Sequence, residues 1–272
     1  MSVGGKTTRQ RLEATWIDRV HQLAEVGSTN TAALEHAKRD PGDLAELFVT
    51  DRQTAGRGRG GNRWWSGDGS LAFSVLTRRL AIDANAAPTL ALTIGATLCG
   101  ALSPLGERVS LKWPNDLYAT APTDAGRRGA SKVGGVLIES IADPARGSGR
   151  RYVLGVGINV HNSLADAPEE VRRTATSLSE AAGGGRLTPA DVLLACVQPL
   201  GDALRRVAAG DPALPALWRR HSLLTGRQIT IETRAGRLSG RCQTIDDQGA
   251  ITVQTERGTV TCVSGTVVDF ER

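Results

Sequence analysis

The chain has 272 residues, a net charge of +5 and four cysteines. At about 150 residues per domain, this length predicts one large domain and one small one. The basic residues are scattered and the cysteines lie far apart, which argues against a nucleic-acid-binding stripe, a disulfide scaffold and a zinc knuckle. The N-terminus is polar and basic with no apolar stretch behind it, so we expect no signal peptide and a cytoplasmic protein.

The first 160 residues predict a mixed β-sheet with helices packed on one side. Strands are predicted over residues 17–26, 47–50, 70–77, 109–118, 132–141 and 151–160. Helices are predicted up to about residue 38, behind the capping residues Ser28, Thr29 and Asn30, and over 88–102. The apolar run 90–102 is shorter than the ~18 residues of a membrane span, so this helix is expected in the core. Because Pro114 donates no ladder hydrogen bond, its strand must lie at an edge or end there, and residues 119–130 predict a polar connection.

The rest of the chain changes from helices to strands. Helices are predicted over residues 176–182, from 189 onward with a kink at Pro199, and over 211–224. Five short strands separated by glycine-containing turns follow at 228–233, 240–246, 250–255, 259–264 and 267–270, which is typical of a small barrel. The predicted fold is therefore α+β, with domains at residues 1–224 and 225–272.

Residues 56–69, here called the glycine-arginine loop, alternate glycine with Arg57 and Arg59. Their literal G-x-G-x-x-G pattern does not indicate a dinucleotide-binding turn, because no helix opens inside it. The pattern favours a flexible loop whose guanidinium and backbone N–H groups surround an anion. Trp64 and Trp65 would expose apolar area there unless a ligand such as a nucleobase covered them. A solvated surface loop is the alternative.

Two predicted strands carry glycines at which a ligand could approach the backbone. Lys132 is followed by Gly134 and Gly135, and the next strand contains Gly155 and Gly157. Because glycines remove side chains from a sheet surface, two thinned neighbouring strands predict one flat cleft floor. Separate bulges are the alternative.

Few other polar side chains stand out for chemistry. The segment 112–116 places a lysine, an amide and a carboxylate at a strand end, although an Asx turn would look the same. The four histidines are isolated in the sequence and are interpreted as structural or exposed. No histidine pair or nucleophile elbow therefore competes with the arginines and lysines.

Five ordered motifs resemble those of biotin protein ligases, of the biotin–[acetyl-CoA-carboxylase] ligase type. They are Gly27-Ser28-Thr29-Asn30, Gln53-Thr54-Ala55-Gly56-Arg57-Gly58-Arg59, Lys112-Trp113-Pro114-Asn115-Asp116, Lys132-Val133-Gly134-Gly135 and Gly155-Val156-Gly157-Ile158-Asn159. The resemblance implies a catalytic domain like that of class II aminoacyl-tRNA synthetases and an SH3-like C-terminal barrel. It also implies the activity: biotin and ATP, with Mg²⁺, give biotinyl-5′-AMP, and the biotinyl group passes to a lysine of a biotin carboxyl carrier protein.

The resemblance also implies roles for individual residues. Residues implied to bind biotin are Ser28, Thr29, Asn30, Gln53, Arg57, Gly58, Arg59, Lys132, Gly135 and Gly155. Residues implied to bind ATP are Arg57, Arg59, Trp64, Lys112, Asn115, Lys132 and Asn159. Catalytic roles are implied for Lys132, Arg59 and Asp116. Gly60 and Asn62 stand where the family often has a basic residue, with Arg63 beside them as a replacement charge.

Alternatives remain at this point. A lipoate or octanoate ligase would share much of the pattern, and a binding module could hold biotin or an adenylate without transferring it. Only about 27 residues precede the Ser28 motif, roughly half of what a helix-turn-helix needs. We therefore expect a monofunctional ligase without sequence-specific DNA binding, not bound to membranes, and a monomer or weak homodimer.

Overall fold

The computed structural model describes residues 6–82, 86–105, 108–122, 128–141, 149–184 and 187–271. Seven helices are present in these ranges: α1 (Lys6–Glu13), α2 (Thr29–Arg39), α3 (Ala87–Leu102), α4 (Glu169–Arg172), α5 (Leu178–Ala181), α6 (Pro189–Ala208) and α7 (Leu214–His221). The strands of the first two thirds of the chain are β1 (Arg19–Val26), β2 (Glu46–Gln53), β3 (Gly56–Arg57), β4 (Arg63–Trp64), β5 (Ser70–Leu76), β6 (Val109–Lys112), β7 (Asp116–Pro122), β8 (Arg128–Ile141) and β9 (Arg151–Asn159). The last strands are β10 (Gln228–Thr233), β11 (Gly236–Ile245), β12 (Ile251–Thr255), β13 (Gly258–Cys262) and β14 (Thr266–Phe270).

The larger sheet has the strand order β1-β2-β5-β9-β8-β7-β6 and is mixed, since β1 and β2 are parallel and the other neighbours antiparallel. Alternate residues of β5 face opposite sides of this sheet. Leu71, Phe73 and Val75 belong to the main core, which α3 and α6 share. Leu76 belongs to a smaller cluster with Ala33 of α2. The predicted mixed sheet is confirmed, with α2 covering part of the face opposite to α3 and α6.

Helix α3 is the central core helix. Together with the turn that follows it, it is long and apolar enough to cross a membrane by length and composition alone. However, Leu90, Ile94, Leu98 and Leu102, which recur every fourth residue on one face, are fully buried in the core. Its neighbours are α6, α7 and the strands β6 and β8. The predicted buried helix over 88–102 is confirmed.

The last five strands form an antiparallel sheet with the order β13-β12-β11-β10-β14, the small SH3-like unit that the sequence predicts. Ile229, Ile231 and Val253 of this sheet belong to the same hydrophobic core as the larger sheet. The indole of Trp113 also donates a hydrogen bond to the carbonyl of Gly249, at 2.9 Å. The small sheet is therefore packed directly against the larger one.

Several predicted boundaries were wrong. Residues 109–118 form two strands, because a turn at Trp113–Asn115 brings Lys112 opposite Asp116. The predicted connection 119–130 is mostly strand, with residues 123–127 outside the described part. The helix predicted over 211–224 is shorter, because the Asp211 side chain accepts a hydrogen bond from the Ala213 N–H before it begins. Helix α6 runs through Pro199, as predicted, whereas α1 and α4 were not predicted.

The four cysteines are free and buried, in agreement with the absence of a disulfide scaffold. Burial raises the pKa of the Cys196 thiol to about 12 and that of Cys242 to about 11. These side chains are therefore protonated core residues at neutral pH, and not nucleophiles.

Candidate functional site

A cavity of about 410 Å³ lies between the start of α2, the glycines of β8 and β9, the glycine-arginine loop and the C-terminal sheet. The sequence predicted most of its wall. The predicted site residues that line it are Ser28, Thr29, Asn30, Gln53, Arg57, Gly58, Arg59, Trp64, Lys112, Asn115, Asp116, Lys132, Gly135 and Gly155. Of the predicted set, only Asn159 is missing from this lining.

The floor of the cavity is the glycine-bearing part of β8 and β9. Gly135 is paired with Gly157, and Gly155, two residues earlier in β9, is paired with Leu137. A Cβ atom on Gly155 would lie 2.0 Å from Asn30 Oδ1, and one on Gly157 would lie 2.5 Å from the Trp64 ring. The glycines therefore let Asn30 and Trp64 rest directly on the sheet. The predicted cleft floor is confirmed, and Trp64 reaches it from the loop.

The end of the cavity next to α2 is a buried polar pocket. The Gln53 carboxamide accepts the N–H of Thr29 at 3.0 Å, so it occupies the first free donor of the helix. Ser28 makes no side-chain capping bond, contrary to the predicted hydroxyl cap, and this residue lines the cavity. Ser74 Oγ lies 2.8 Å from Thr29 Oγ1 and 2.6 Å from Asn30 Oδ1. This pocket offers fixed donors and acceptors to a small polar head group.

Ser74 was missed by the sequence analysis. Its only signal is a hydroxyl in the interior of strand β5, whose other serine, Ser70, is the first residue of the strand. Ser74 is fully buried, where a hydroxyl without a partner would destabilise the fold. Such a residue indicates that polar groups face it from another element, but the sequence does not say which.

The opposite end of the cavity is cationic. Lys132 Nζ lies 2.6 Å from Asp116 Oδ1 across the β7–β8 pair. The buried Lys112 ammonium donates to the Val267 carbonyl at 2.7 Å and lies 5.4 Å from the centre of the Tyr118 ring. These groups place positive charge where a phosphate or carboxylate could enter.

The C-terminal sheet closes this cationic end. Arg59 of the glycine-arginine loop donates to the Gly265 carbonyl at 2.9 Å. Glu232, Thr266 and Val267 also line the cavity. Sequence reasoning missed these residues, because they lie far along the chain from the rest of the cavity lining and carry no motif.

Arg57 does not lie free in the cavity. Its guanidinium forms a two-bond salt bridge with Glu139 of β8, with N–O distances of 3.0 and 2.8 Å. The Asn30 amide donates to the same carboxylate at 2.9 Å. Glu139 was also missed, since a charged residue late in an apolar strand is usually solvent-exposed. The Arg57–Glu139 pair and the β3–β4 hairpin together hold the glycine-arginine loop, which we predicted to be flexible, in a defined conformation.

Asn159 lies outside this cavity lining, and its contact with an adenine ring stays a prediction. Its side chain is buried and donates to the Thr176 carbonyl at 3.2 Å. Its oxygen accepts a hydrogen bond from Asn162, also at 3.2 Å. Both polar groups of Asn159 are therefore used inside the protein. Trp64 differs: its Nε1 is buried and finds no hydrogen-bond partner within the described ranges.

A second polar cluster lies at the far end of α2 and corrects the prediction of isolated histidines. His21 and His36 have ring centres 4.9 Å apart, and both approach Glu46 Oε2, at 2.7 and 3.1 Å. Burial would raise the pKa of Glu46, but the His21 hydrogen bond and the charges of His36 and Arg19 outweigh it, so the pKa is lowered. With Arg151, 3.5 Å from Glu46, the cluster fastens α2 to the sheet.

Comparison with known families decides which proteins share this arrangement. The model of the biotin/lipoate A/B protein ligase family matches residues 23–159, which include both sides of the cavity floor and the polar pocket. The chain belongs to this family. A second model, of the biotin protein ligase C terminal domain, matches residues 224–268. Within the biotin/lipoate family, the chain thus carries the C-terminal unit of the biotin ligases.

Individual relatives agree with this assignment. The chain is 32% identical over 254 residues to the biotin–[acetyl-CoA-carboxylase] ligase of Mycobacterium tuberculosis, covering 90% of this chain and 87% of that protein. It is 31% identical over 235 residues to the bifunctional ligase/repressor BirA of Bacillus subtilis, covering 86% of this chain and 68% of the relative. Among solved structures, the Aquifex aeolicus biotin protein ligase in complex with biotin and ATP superposes with a TM-score of 0.73 at 27% identity, covering 94% of this chain and all of that one.

Proposed function

We propose that this chain is an ATP-dependent biotin protein ligase, which forms biotinyl-5′-AMP and transfers the biotinyl group to a lysine of a biotin carboxyl carrier protein. One observation carries the proposal: a single cavity joins a buried polar pocket at Thr29 and Asn30 to a cationic end at Lys112 and Lys132. Biotin has a polar ureido ring at one end and a carboxylate at the other. The two ends of the cavity match this order.

The first half-reaction joins two anions. A carboxylate oxygen of biotin attacks the α-phosphorus of ATP, the bond to the β-phosphate oxygen breaks, and pyrophosphate leaves. The protein's task is to position the reactants and neutralise charge, for which Arg59, Lys112 and Lys132 are the candidate residues. Mg²⁺ enters with ATP as part of the substrate, since Asp116 and Glu232 in the lining are already paired with Lys132 and Arg237.

The second half-reaction forms an amide. The ε-amine of the carrier lysine attacks the acyl carbon of biotinyl-5′-AMP, AMP leaves, and the amine nitrogen loses a proton. Asp116 is the candidate to orient this amine, because its carboxylate lines the cavity and is fixed by Lys132 at 2.6 Å. In this proposal residues 1–224 form the catalytic domain and 225–272 the C-terminal domain that closes its cationic end.

The decisive experiment incubates the protein with labelled biotin, MgATP and a biotin carboxyl carrier domain, and measures incorporation by mass. We expect one biotinyl group on the carrier. Parallel reactions with lipoate and octanoate test the ligase alternative, and pyrophosphate release in the absence of transfer tests the binding-module alternative. Lipoyl or octanoyl transfer without biotinyl transfer, or no adenylate at all, would overturn the proposal.

A further inference from the structure

Glu139 of β8 contacts two residues that line the cavity, Arg57 of the glycine-arginine loop and Asn30 of α2. Its carboxylate binds the Arg57 guanidinium through two hydrogen bonds and the Asn30 amide through a third. We infer that Glu139 is a positioning residue, which acts through Arg57 to hold the glycine-arginine loop against the sheet for ATP binding. The inference rests on the proposed function.

The carboxylate is held in a fixed place. Glu139 pairs with Val153 in the β8–β9 ladder, so β9 fixes its backbone. The Asn30 amide that binds it is itself oriented, because Asn30 Oδ1 lies 2.6 Å from Ser74 Oγ. A guanidinium bound through two parallel hydrogen bonds to such a carboxylate is fixed in both position and orientation.

Holding Arg57 also fixes the opposite strand of its hairpin. Arg57 is paired with Arg63, and Gly56 with Trp64, across β3 and β4. Trp64 then rests on Gly157 at the cavity floor. One salt bridge therefore restrains the arginines and the indole that surround the proposed ATP site.

The salt bridge leaves some N–H donors of the Arg57 guanidinium available to a ligand. Arginine has five N–H donors, and Glu139 accepts two hydrogen bonds from Arg57. The remaining donors can bind an anion while Glu139 stays in place. Glu139 thus holds Arg57 in position, and the substrate can bind Arg57 without breaking its hydrogen bonds to Glu139.

The test measures adenylate formation by Glu139→Gln at saturating biotin, which keeps any effect through Asn30 out of the result. We expect the KM for ATP to rise about tenfold, the effect of losing a charge-assisted pair at a partly exposed site. The kcat should change by less than about threefold, because Glu139 does not touch the reacting atoms. In an Arg57→Ala background the same substitution should have no further effect on the KM for ATP, since the two residues act as one unit.

Two variants complete the design. Glu25→Gln removes a carboxylate from an exposed pair with Arg52, at 3.1 Å, and should leave all constants unchanged. Glu139→Asp keeps the charge but shortens the side chain, so it tests the reach of the pair if Glu139→Gln does not fold. A wild-type KM for ATP in a folded Glu139 variant, or equal effects with and without Arg57, would refute the inference. Loss of the proposed function itself would appear as an inactive wild-type protein.

Discussion

The Lys132→Ala substitution tests the proposed chemistry most directly. The Lys132 ammonium lies at the cationic end of the cavity, 2.6 Å from Asp116 Oδ1. The side chains are 31% and 23% exposed, so water reaches the pair. The backbone of Lys132 is bonded separately, since its N–H donates to the Thr174 carbonyl and its carbonyl accepts from the Thr176 N–H. Removing the side chain therefore leaves the strand in place.

Two magnitudes separate a structural role from a catalytic one. A partly exposed ion pair contributes about 1 kcal/mol or less to the free energy of unfolding. A cationic donor that stabilises charge developing between a carboxylate and a phosphorus atom contributes on the order of 3 kcal/mol to the transition state. The second value corresponds to a rate loss of about 10²-fold.

The assay is pyrophosphate release with biotin and MgATP, run beside a thermal melt of the same preparation. We expect a melt close to that of the wild type and a rate reduced about 10²-fold. Lys38→Ala is the matched control, because Lys38 is exposed on α2, and its rate should not change. A normal melt together with a rate within about threefold of the wild type would refute the catalytic assignment of Lys132.

Three further predictions follow from contacts described above. Gly157→Ala should raise the KM for ATP about tenfold and change the free energy of unfolding little, because the added Cβ would lie 2.5 Å from the Trp64 ring and displace it. Steady-state kinetics at saturating biotin measure this KM. Hydrogen exchange in the glycine-arginine loop should slow when biotin binds, since a ligand in the cavity adds contacts to a loop otherwise held by the Arg57–Glu139 pair and the β3–β4 hairpin; equal protection with and without biotin would contradict this. The lowered pKa of Glu46 means that its carboxylate stabilises the fold above about pH 4.5 and that this contribution is lost as the pH falls through the lower folded-state value. Thermal melts from pH 7 to pH 3 should therefore show a smaller acid loss for Glu46→Gln than for the wild type.

The parts that the sequence predicted well depend on local chemistry. The glycines of β8 and β9 thin two strands that are neighbours in the sheet, so the floor could be predicted without knowing the register. The five strands after residue 225 follow from their spacing and their turns. Most of the residues that line the cavity were predicted from motifs, each of which is one short continuous segment of the chain.

The parts that the sequence did not predict depend on contacts between distant residues. Arg57 and Glu139 are 82 positions apart, and Lys112 and the Val267 carbonyl are 155 apart. No periodicity connects such positions. Strand β5 carries no charged residue on either face, so its pattern could not show that α2 packs on the side opposite to α3.

The contacts between the two sheets tolerate substitutions in the C-terminal sheet better than deletions. Arg59 and Lys112 bind the carbonyl oxygens of Gly265 and Val267, and no side chain of the last strands takes part in these bonds. The carbonyls of residues two positions apart in an extended strand point to the same side. Substitutions at these positions keep both acceptors in place, whereas deleting one residue between them would turn one carbonyl away from its cation. Here the length of the segment matters more than its composition.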